Sequence, residues 1–303
     1  MVYQNEIERY ICDWKAYTLL DSGSGERLER IGPFVLRRQD PRAWWKPDLS
    51  ESEWRKADAT FVEQREERGK WHFRRPIPEV WPLSFAGVSV EARFTDMSKH
   101  IGVFPEHAPH WALLAERIRA FGKGFRLLNL FGYTGVASLV AASVGATVTH
   151  VDASPKAIEW GKSSQKRAGL EEKPIRWLVD DAYKFALREG RRGRIYDGIL
   201  LDPPKYGRGP KGEVWKVEQG LPPLLEACKA LLNPENGFLL LTMYSTDDTA
   251  ATAGNLLYDL LKERSGKLRM GELVLPHASS PKQLSVSICG IWEGSIKKID
   301  ERT

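Results

Sequence analysis

The sequence predicts an α/β protein, in which a mostly parallel sheet covered by helices follows a smaller β-rich module. Three observations predict it. From about Phe125 onward, apolar runs of five to seven residues alternate with helical stretches, the pattern of a parallel sheet covered on both faces. The first of these runs ends in a glycine turn (Gly132 to Gly135) that leads straight into a helix. Earlier in the chain, short β-branched and apolar runs are cut by Gly and Pro, as in a meander. The expected division is a β-rich module over residues 1–95 and an α/β domain over residues 96–303.

In the first module, Tyr17–Leu20, a Ser/Gly turn and Arg27–Arg38 read as strands. Ser50–Arg68 interrupts them with a Glu/Arg-rich run, and Lys70–Thr95 returns to strand-like text broken by Pro76, Pro78 and Pro82. In the second part the strand candidates are Arg126–Phe131, Thr147–Val151, Ile175–Val179, Ile195–Leu201 and Phe238–Met243. The helices between and after them are Val136–Ser143, Pro155–Arg167, Ala182–Arg188, Gln219–Leu232 and Asp248–Arg264. Ser154-Pro155 supplies an N-cap followed by proline in the first turn, and Gly169 and Gly237 stand where helices or turns should end. Lys267–Leu275 and Leu284–Trp292 are two terminal strands with no helix between them, which should pair antiparallel. The tail Lys297–Thr303 is expected to fray.

Composition narrows the class. The 303 residues carry 45 Lys+Arg and 40 Asp+Glu, a net charge of +5. Residues 1–111 hold 17 basic and 18 acidic side chains, so residues 112–303 hold 45 − 17 = 28 and 40 − 18 = 22, and the basic bias lies wholly in the second part. Cys12, Cys228 and Cys289 are too few and too scattered for a disulfide framework or a zinc cluster. No metal site is expected, and a reducing, cytoplasmic setting is. No signal-peptide core and no apolar run of about 18 residues occurs. Seven of the 11 tryptophans fall in residues 1–111, where they form the module's core or an aromatic binding surface.

The chemistry concentrates at the ends of the predicted strands. Leu127-Leu-Asn-Leu-Phe-Gly-Tyr-Thr-Gly135 is a buried strand running into a glycine turn, at the carboxyl edge where open α/β sheets bind ligands. Asp152 ends the next strand, 20 residues after Gly132, the position from which a carboxylate accepts hydrogen bonds from a ribose. Together they indicate an adenosine-type ligand. The plainer alternative is a tight βα turn, with Asp152 capping the helix that starts at Pro155. The turn lacks G-x-G-x-x-G, so a dinucleotide pyrophosphate is not the expected guest. Asp180-Asp181-Ala182 ends the third strand, as an acceptor for an adenine amine or as a helix N-cap. The fourth strand ends in Leu201-Asp-Pro-Pro-Lys-Tyr206. Two prolines there fix a rigid extended turn, which would hold Asp202 and neighbouring carbonyls toward a planar acceptor while an aromatic ring stacks on it.

Asn129-Leu-Phe-Gly-Tyr-Thr-Gly135, Val151-Asp-Ala-Ser154, Asp180-Asp-Ala182 and Leu201-Asp-Pro-Pro-Lys-Tyr206, in this order, resemble the class I S-adenosylmethionine (SAM)-dependent methyltransferases. Within these they resemble the bacterial large-subunit ribosomal RNA methyltransferase family that includes the cytosine-5 enzymes. The resemblance covers roughly residues 95–292. It implies a Rossmann-like seven-stranded methyltransferase sheet, SAM as cofactor and RNA, first of all ribosomal, as substrate. It implies cofactor contacts from Asn129, Phe131, Gly132, Tyr133, Thr134, Gly135, Asp152, Ala153, Ser154, Asp180, Asp181 and Ala182. Asp202, Pro203, Pro204, Lys205 and Tyr206 would form the catalytic segment. Gly102-Val-Phe-Pro-Glu-His107 is similar to the family's segment that closes over the cofactor, so Phe104 and Glu106 would line it, although the family's acid-glutamine-arginine run is replaced by Glu106-His107-Ala108.

Cytosine-5 transfer needs a thiolate, which the related enzymes place just after the fifth strand; the matching stretch Leu241–Thr246 has no cysteine. Direct transfer to a nitrogen or oxygen is therefore expected, with Asp202 or a carbonyl orienting the acceptor and Tyr206 or Tyr244 stacking on it. Of the basic groups, Arg188, Arg191, Arg192 and Arg194 read as a solvated loop at the opposite edge of the sheet. Lys205, Arg208, Lys211 and Lys216, interleaved with Tyr206 and Trp215, read as a nucleic-acid surface or a mobile loop. His107 and His277 are the histidines expected near the site. A methyltransferase for protein or small molecules, a nicotinamide-dependent oxidoreductase and a non-catalytic RNA-binding protein are the alternatives.

Overall fold

The computed structural model describes residues 1–65, 68–96, 98–244 and 248–295. The expected frayed tail, and Ser245 and Thr246 of the stretch after the fifth strand, lie outside the described residues. Two compact units are present among the described residues: an α/β unit of Met1–Arg9, Trp111–Glu272 and residues 287–295, and a β unit of Tyr10–His110 with Leu273–Val286. Both are discontinuous in sequence, unlike a single cut at 95/96.

The chain opens on β1 (Val2–Ile11). In the β unit, β2 (Tyr17–Gly23), β3 (Glu26–Ile31), β4 (Phe34–Gln39), β5 (Ala59–Arg65) and β6 (Arg68–Phe73) form one sheet in chain order, and β7 (Val80–Phe85) pairs with β8 (Val88–Arg93). β4 and β5 run parallel. The connection that allows this holds the single-turn helix α1 (Glu51–Trp54), whose Trp54 packs on Leu28 and Ala57. Trp14, Trp54 and Trp81 are buried in the core of the unit, so they are not available to RNA; Trp44 is 87% exposed. Arg27 and Arg38, buried and directly opposite each other on β3 and β4, are compensated by Glu29, which bonds Arg38 and lies 3.5 Å from Arg27.

The α/β unit follows from α2 (Ala108–Phe121): β9 (Arg126–Leu130), α3 (Val136–Ser143), β10 (Thr147–Asp152), α4 (Pro155–Arg167), β11 (Ile175–Val179), α5 (Ala182–Arg191) and β12 (Gly198–Leu201). A short hairpin, β13 (Tyr206–Arg208) and β14 (Val214–Lys216), precedes α6 (Val217–Leu231), β15 (Phe238–Met243), α7 (Ala250–Leu261), β16 (Lys267–Pro276) and β17 (Gln283–Glu293). The sheet order is β1-β16-β17-β15-β12-β9-β10-β11. Strands β11, β10, β9, β12 and β15 are mutually parallel, and β17 is antiparallel to β15. These are the seven expected strands with an eighth, β1, added at the edge. Its residues alternate little between buried and exposed, which is why its text carries no strand periodicity.

Alternation in the parallel strands sends Leu128, Leu130, Val151, Ile199, Leu201, Leu239 and Leu241 into one core with Phe185, Leu221, Leu224, Cys228 and Leu257 from α5, α6 and α7. Leu127, Asn129, Val148 and His150 are also buried; each pairs its neighbour on the adjoining strand, Leu127 with Val148 and Asn129 with His150, on the opposite face of the sheet. The helix starts follow local chemistry. Ser154 caps α4 by accepting from Ala157 N (3.2 Å) ahead of Pro155, and Asp181 caps α5 by accepting from Lys184 N (2.9 Å).

Candidate active site

The carboxyl ends of β9, β10, β11 and β12 bring four predicted segments side by side: Phe131–Gly135, Asp152–Ser154, Asp180–Ala182 and Asp202–Tyr206. The loop after β9 is strained. Phe131 (φ 56°) and Tyr133 (φ 51°) occupy the left-handed region, which costs a bulky L-residue of order 1–3 kcal/mol. Gly135 begins α3 at φ 79°.

A polar string beneath the loop holds this conformation. Asn129 Nδ2 donates to Ser138 Oγ (2.9 Å), which is 2.9 Å from His150 Nδ1, and His150 Nε2 is 3.2 Å from the Tyr133 carbonyl. A carbonyl only accepts, so Nε2 carries the proton, and Nδ1 then accepts from Ser138. Burial drives the His150 pKa down to about 3, so the ring is neutral and the string keeps one direction. The two glycines serve this packing: a Cβ on Gly132 would lie 2.3 Å from the His150 ring, and one on Gly135 would lie 2.5 Å from Trp177. Trp177 is itself anchored by Nε1 donation to Gln165 Oε1 (2.7 Å). The glycines thus permit an inward contact, where the sequence suggested approach of backbone to ligand. His150 was not expected to take part; its one signal is a polar residue inside an apolar strand.

Asp152 ties two loops together. Its Oδ2 accepts from Tyr133 N (2.8 Å) and its Oδ1 from Ser154 N (2.8 Å). Each carboxylate oxygen offers about two acceptor sites, so a vicinal diol can still be bound. Burial raises the carboxyl pKa, and the two backbone donors act against that. Asp181 takes the N-cap role foreseen as its alternative. Asp180 accepts from Asp181 N (2.9 Å) and pairs with Arg188. This corrects the reading of Arg188 as part of a solvated loop: α5 continues to Arg191, and long helical side chains lean back toward the N-terminus, which carries this guanidinium to the carboxyl edge.

Asp202 follows Leu201, which pairs with Leu130 on one side and Leu241 on the other, so it stands level with Phe131. Pro203 is buried and Pro204 exposed. The segment continues into the hairpin through Tyr206, which is 54% exposed. Trp215, on the inner side of the hairpin, donates from Nε1 to the Pro204 carbonyl (2.7 Å) and lies 4.9 Å from the Phe131 ring. A Cβ on Gly220 would come 2.5 Å from the same indole. Trp215 therefore joins the Asp-Pro-Pro-Lys turn to the glycine loop, a link between segments some 80 residues apart that no local pattern carries.

Phe104 and Glu106 belong to the β unit. Phe104 is half-buried, with its ring 5.1 Å from His100. Glu106 is buried, and burial raises its pKa against the pull of the Arg27, Arg42 and Arg38 guanidiniums. His277 is also in the β unit, bonded to Ser22 Oγ (2.7 Å). With Asp21 and Asp48 it makes a group of metal-ligand type. Asp21 already accepts from Ser22, Asp48, Leu49 and Trp54, and Lys282 occupies Asp48, so the group serves as a structural pin. All three cysteines are free and buried, and burial raises their pKa values, to about 12 for Cys12 and Cys228. None has the depressed pKa of a nucleophile.

A solved SAM-dependent methyltransferase from Agrobacterium tumefaciens matches this chain at 42% identity with a TM-score of 0.93, over 97% of this chain and 95% of that one. The chain belongs to the class I SAM-dependent methyltransferases. The profile of a family described as conserved hypothetical protein 95 matches residues 112–217 of the methyltransferase, from α2 to the start of α6. Two curated relatives are ribosomal RNA large subunit methyltransferases. The K/L protein of Magnetococcus marinus is 31% identical over 49% of this chain and 20% of its own length. The I protein of Shewanella denitrificans is 32% identical over 40% of this chain and 30% of its own length. The alignments therefore span less than a third of either relative.

The residues at the carboxyl edge fit SAM. The acceptor set of Asp152 and Asp181 suits a ribose diol and an exocyclic amine, while the charge of Asp180 is taken by Arg188.

Proposed function

We propose that this methyltransferase transfers a methyl group from SAM directly to a base of RNA, with ribosomal RNA as the substrate class. The observation that carries the reading is the alignment of the glycine loop, Asp152, Asp181 and the Asp202–Tyr206 turn along one sheet edge. The ribosomal assignment is supported by the names of the two curated relatives.

When bound, SAM supplies a sulfonium whose methyl group is already activated for in-line attack. Asp152 accepts from the ribose hydroxyls, the free oxygen of Asp181 accepts from the adenine amine, and Phe131 and Tyr133, held in strained conformations, shape the loop around the nucleoside. Asp202 and the carbonyls of Pro203 and Pro204 accept from the exocyclic or ring N–H of the target base and orient its nucleophilic atom, and the proton released as the nitrogen gains the methyl group passes to the Asp202 carboxylate and on to water. Tyr206 stacks on the base, and Lys205 neutralises a flanking phosphate. Positioning of this kind supplies most of the rate. The buried, protonated cysteines support direct transfer in place of a covalent adduct, and three free thiols support a cytoplasmic setting.

The test is methyl transfer from labelled SAM to ribosomal RNA purified from a strain lacking the gene, with the site mapped by mass spectrometry. One or more labelled nucleotides are expected. Asp202→Ala should lower kcat at least about tenfold while SAM affinity, measured by calorimetry, stays as it was. Label on protein alone would overturn the RNA assignment, and full activity of Asp202→Ala would overturn the role of that residue.

A further inference from the structure

We propose that the outward face of the β13–β14 hairpin is a platform that grips single-stranded RNA beside the methyl-transfer site. The inference rests on the RNA reading above and names the residues that would hold the strand.

The register places Tyr206 opposite Lys216, Gly207 opposite Trp215 and Arg208 opposite Val214. Directly paired residues share a face and successive residues alternate. Tyr206, Lys216, Arg208 and Val214 therefore project together on one side, and Trp215 projects inward on the other. Tyr206 and Val214 are 54% and 60% exposed, among the most exposed large apolar side chains of the α/β unit. Arg208 and Lys216 are exposed and make no ion pair among the described residues. In this they differ from Arg188 and Arg192, whose charges are taken by Asp180 and Glu189. One face thus alternates an aromatic ring and an apolar side chain with two uncompensated cations, about 7 Å apart along each strand. Stacking surfaces interleaved with cations are what an unpaired strand offers bases and phosphates to.

The platform is rigid enough to orient a strand. Trp215 nails its inner side to Pro204 and Phe131. At the tip, Glu213 accepts from Lys211 N (2.8 Å) and pairs with Lys184 of α5 (2.6 Å), and at the base Val217 N donates to the Lys205 carbonyl (3.0 Å). The acidic side chain of the hairpin is thereby turned to α5, and the outward face keeps only positive charge. A base extruded toward Asp202 and stacked on Tyr206 would have its neighbours led on across Val214, with their phosphates on Arg208 and Lys216.

The experiment uses the full chain and a fluorescein-labelled 12-nucleotide single-stranded RNA of mixed sequence, alone or annealed to its complement, with anisotropy followed against salt. The charge-removing pair R208A/K216A should weaken single-strand binding about tenfold or more and flatten the log Kd against log salt slope by about 1.4, at 0.7 per phosphate contact. It should raise KM for ribosomal RNA with SAM affinity unchanged. The control pair R191A/R194A, equal in charge but on α5 and the loop after it, should leave all of these as in the wild type. An unchanged slope and KM in R208A/K216A, an equal loss in the control, or tighter binding of the duplex would overturn the platform while leaving RNA methylation standing. Failure of the unmodified protein both to bind the strand and to methylate RNA would overturn the RNA reading as well.

Discussion

At the scale of single residues, the site depends on what lies beneath the glycine loop as much as on the loop. Gly132→Ala would put a methyl group 2.3 Å from a buried, neutral histidine ring that holds the Tyr133 carbonyl through Nε2. The ring cannot retreat without breaking its bonds to Ser138 and Tyr133. Overpacking of this kind costs about 1–3 kcal/mol, so urea denaturation should show a loss of that size for Gly132→Ala, accompanied by weaker SAM binding in calorimetry. Gly122→Ala, which has open space around its Cβ but a φ of +90°, measures backbone strain alone and should leave SAM binding intact. The turn itself was legible in the text, since Phe131-Gly-Tyr-Thr-Gly can hardly be anything else after a buried strand. The reason for the glycines was not, because His150 and Trp177 come from β10 and β11, and only the sheet register brings them under the loop.

At the scale of elements, legibility follows the locality of the forces. α3, α4 and the strands β11 and β15 end where their caps, prolines and glycines indicate, because those signals act within one turn. β1 escaped notice because an edge strand need not alternate, and the hairpin escaped because strands of three residues among Gly, Pro and Lys look like a loop. What makes the hairpin an element is Trp215, whose contacts are with Pro204, Phe131 and α6. Trp215→Ala should therefore release residues 205–216 while the sheet stays folded. Limited trypsin digestion should cleave after Arg208 or Lys211 at least about tenfold faster than in the wild type, where opening of the hairpin limits cleavage. The global unfolding midpoint should move by much less than a buried tryptophan would require, since the indole is only half-buried. Equal cleavage rates would mean that the hairpin is held by its own turn and by Glu213.

For the whole molecule, the proposed contact of Asp152 with the ribose of SAM would tie stabilisation by the cofactor to a half-buried carboxylate. A ligand that binds only the folded chain adds RT ln(1 + [L]/Kd), about 2.7 kcal/mol at 100 times Kd. Burial raises the Asp152 pKa in the free protein, so ionising this group in the native state costs more than in the unfolded chain. The stability it contributes is complete below the ordinary carboxyl range and declines as pH rises through the raised value. On the proposed contact SAM would act in the opposite sense, because ribose hydroxyls donating to the ionised form would draw the carboxyl back down and release a proton. The SAM-induced rise in Tm should thus grow with pH through the raised Asp152 range and level off above it. Asp152→Asn removes the titration and leaves either Tyr133 N or Ser154 N facing an amide donor. Its Tm should be lower without ligand, its SAM-induced rise small, and that rise independent of pH. A rise in Asp152→Asn that keeps the wild-type pH dependence would place the titrating group elsewhere.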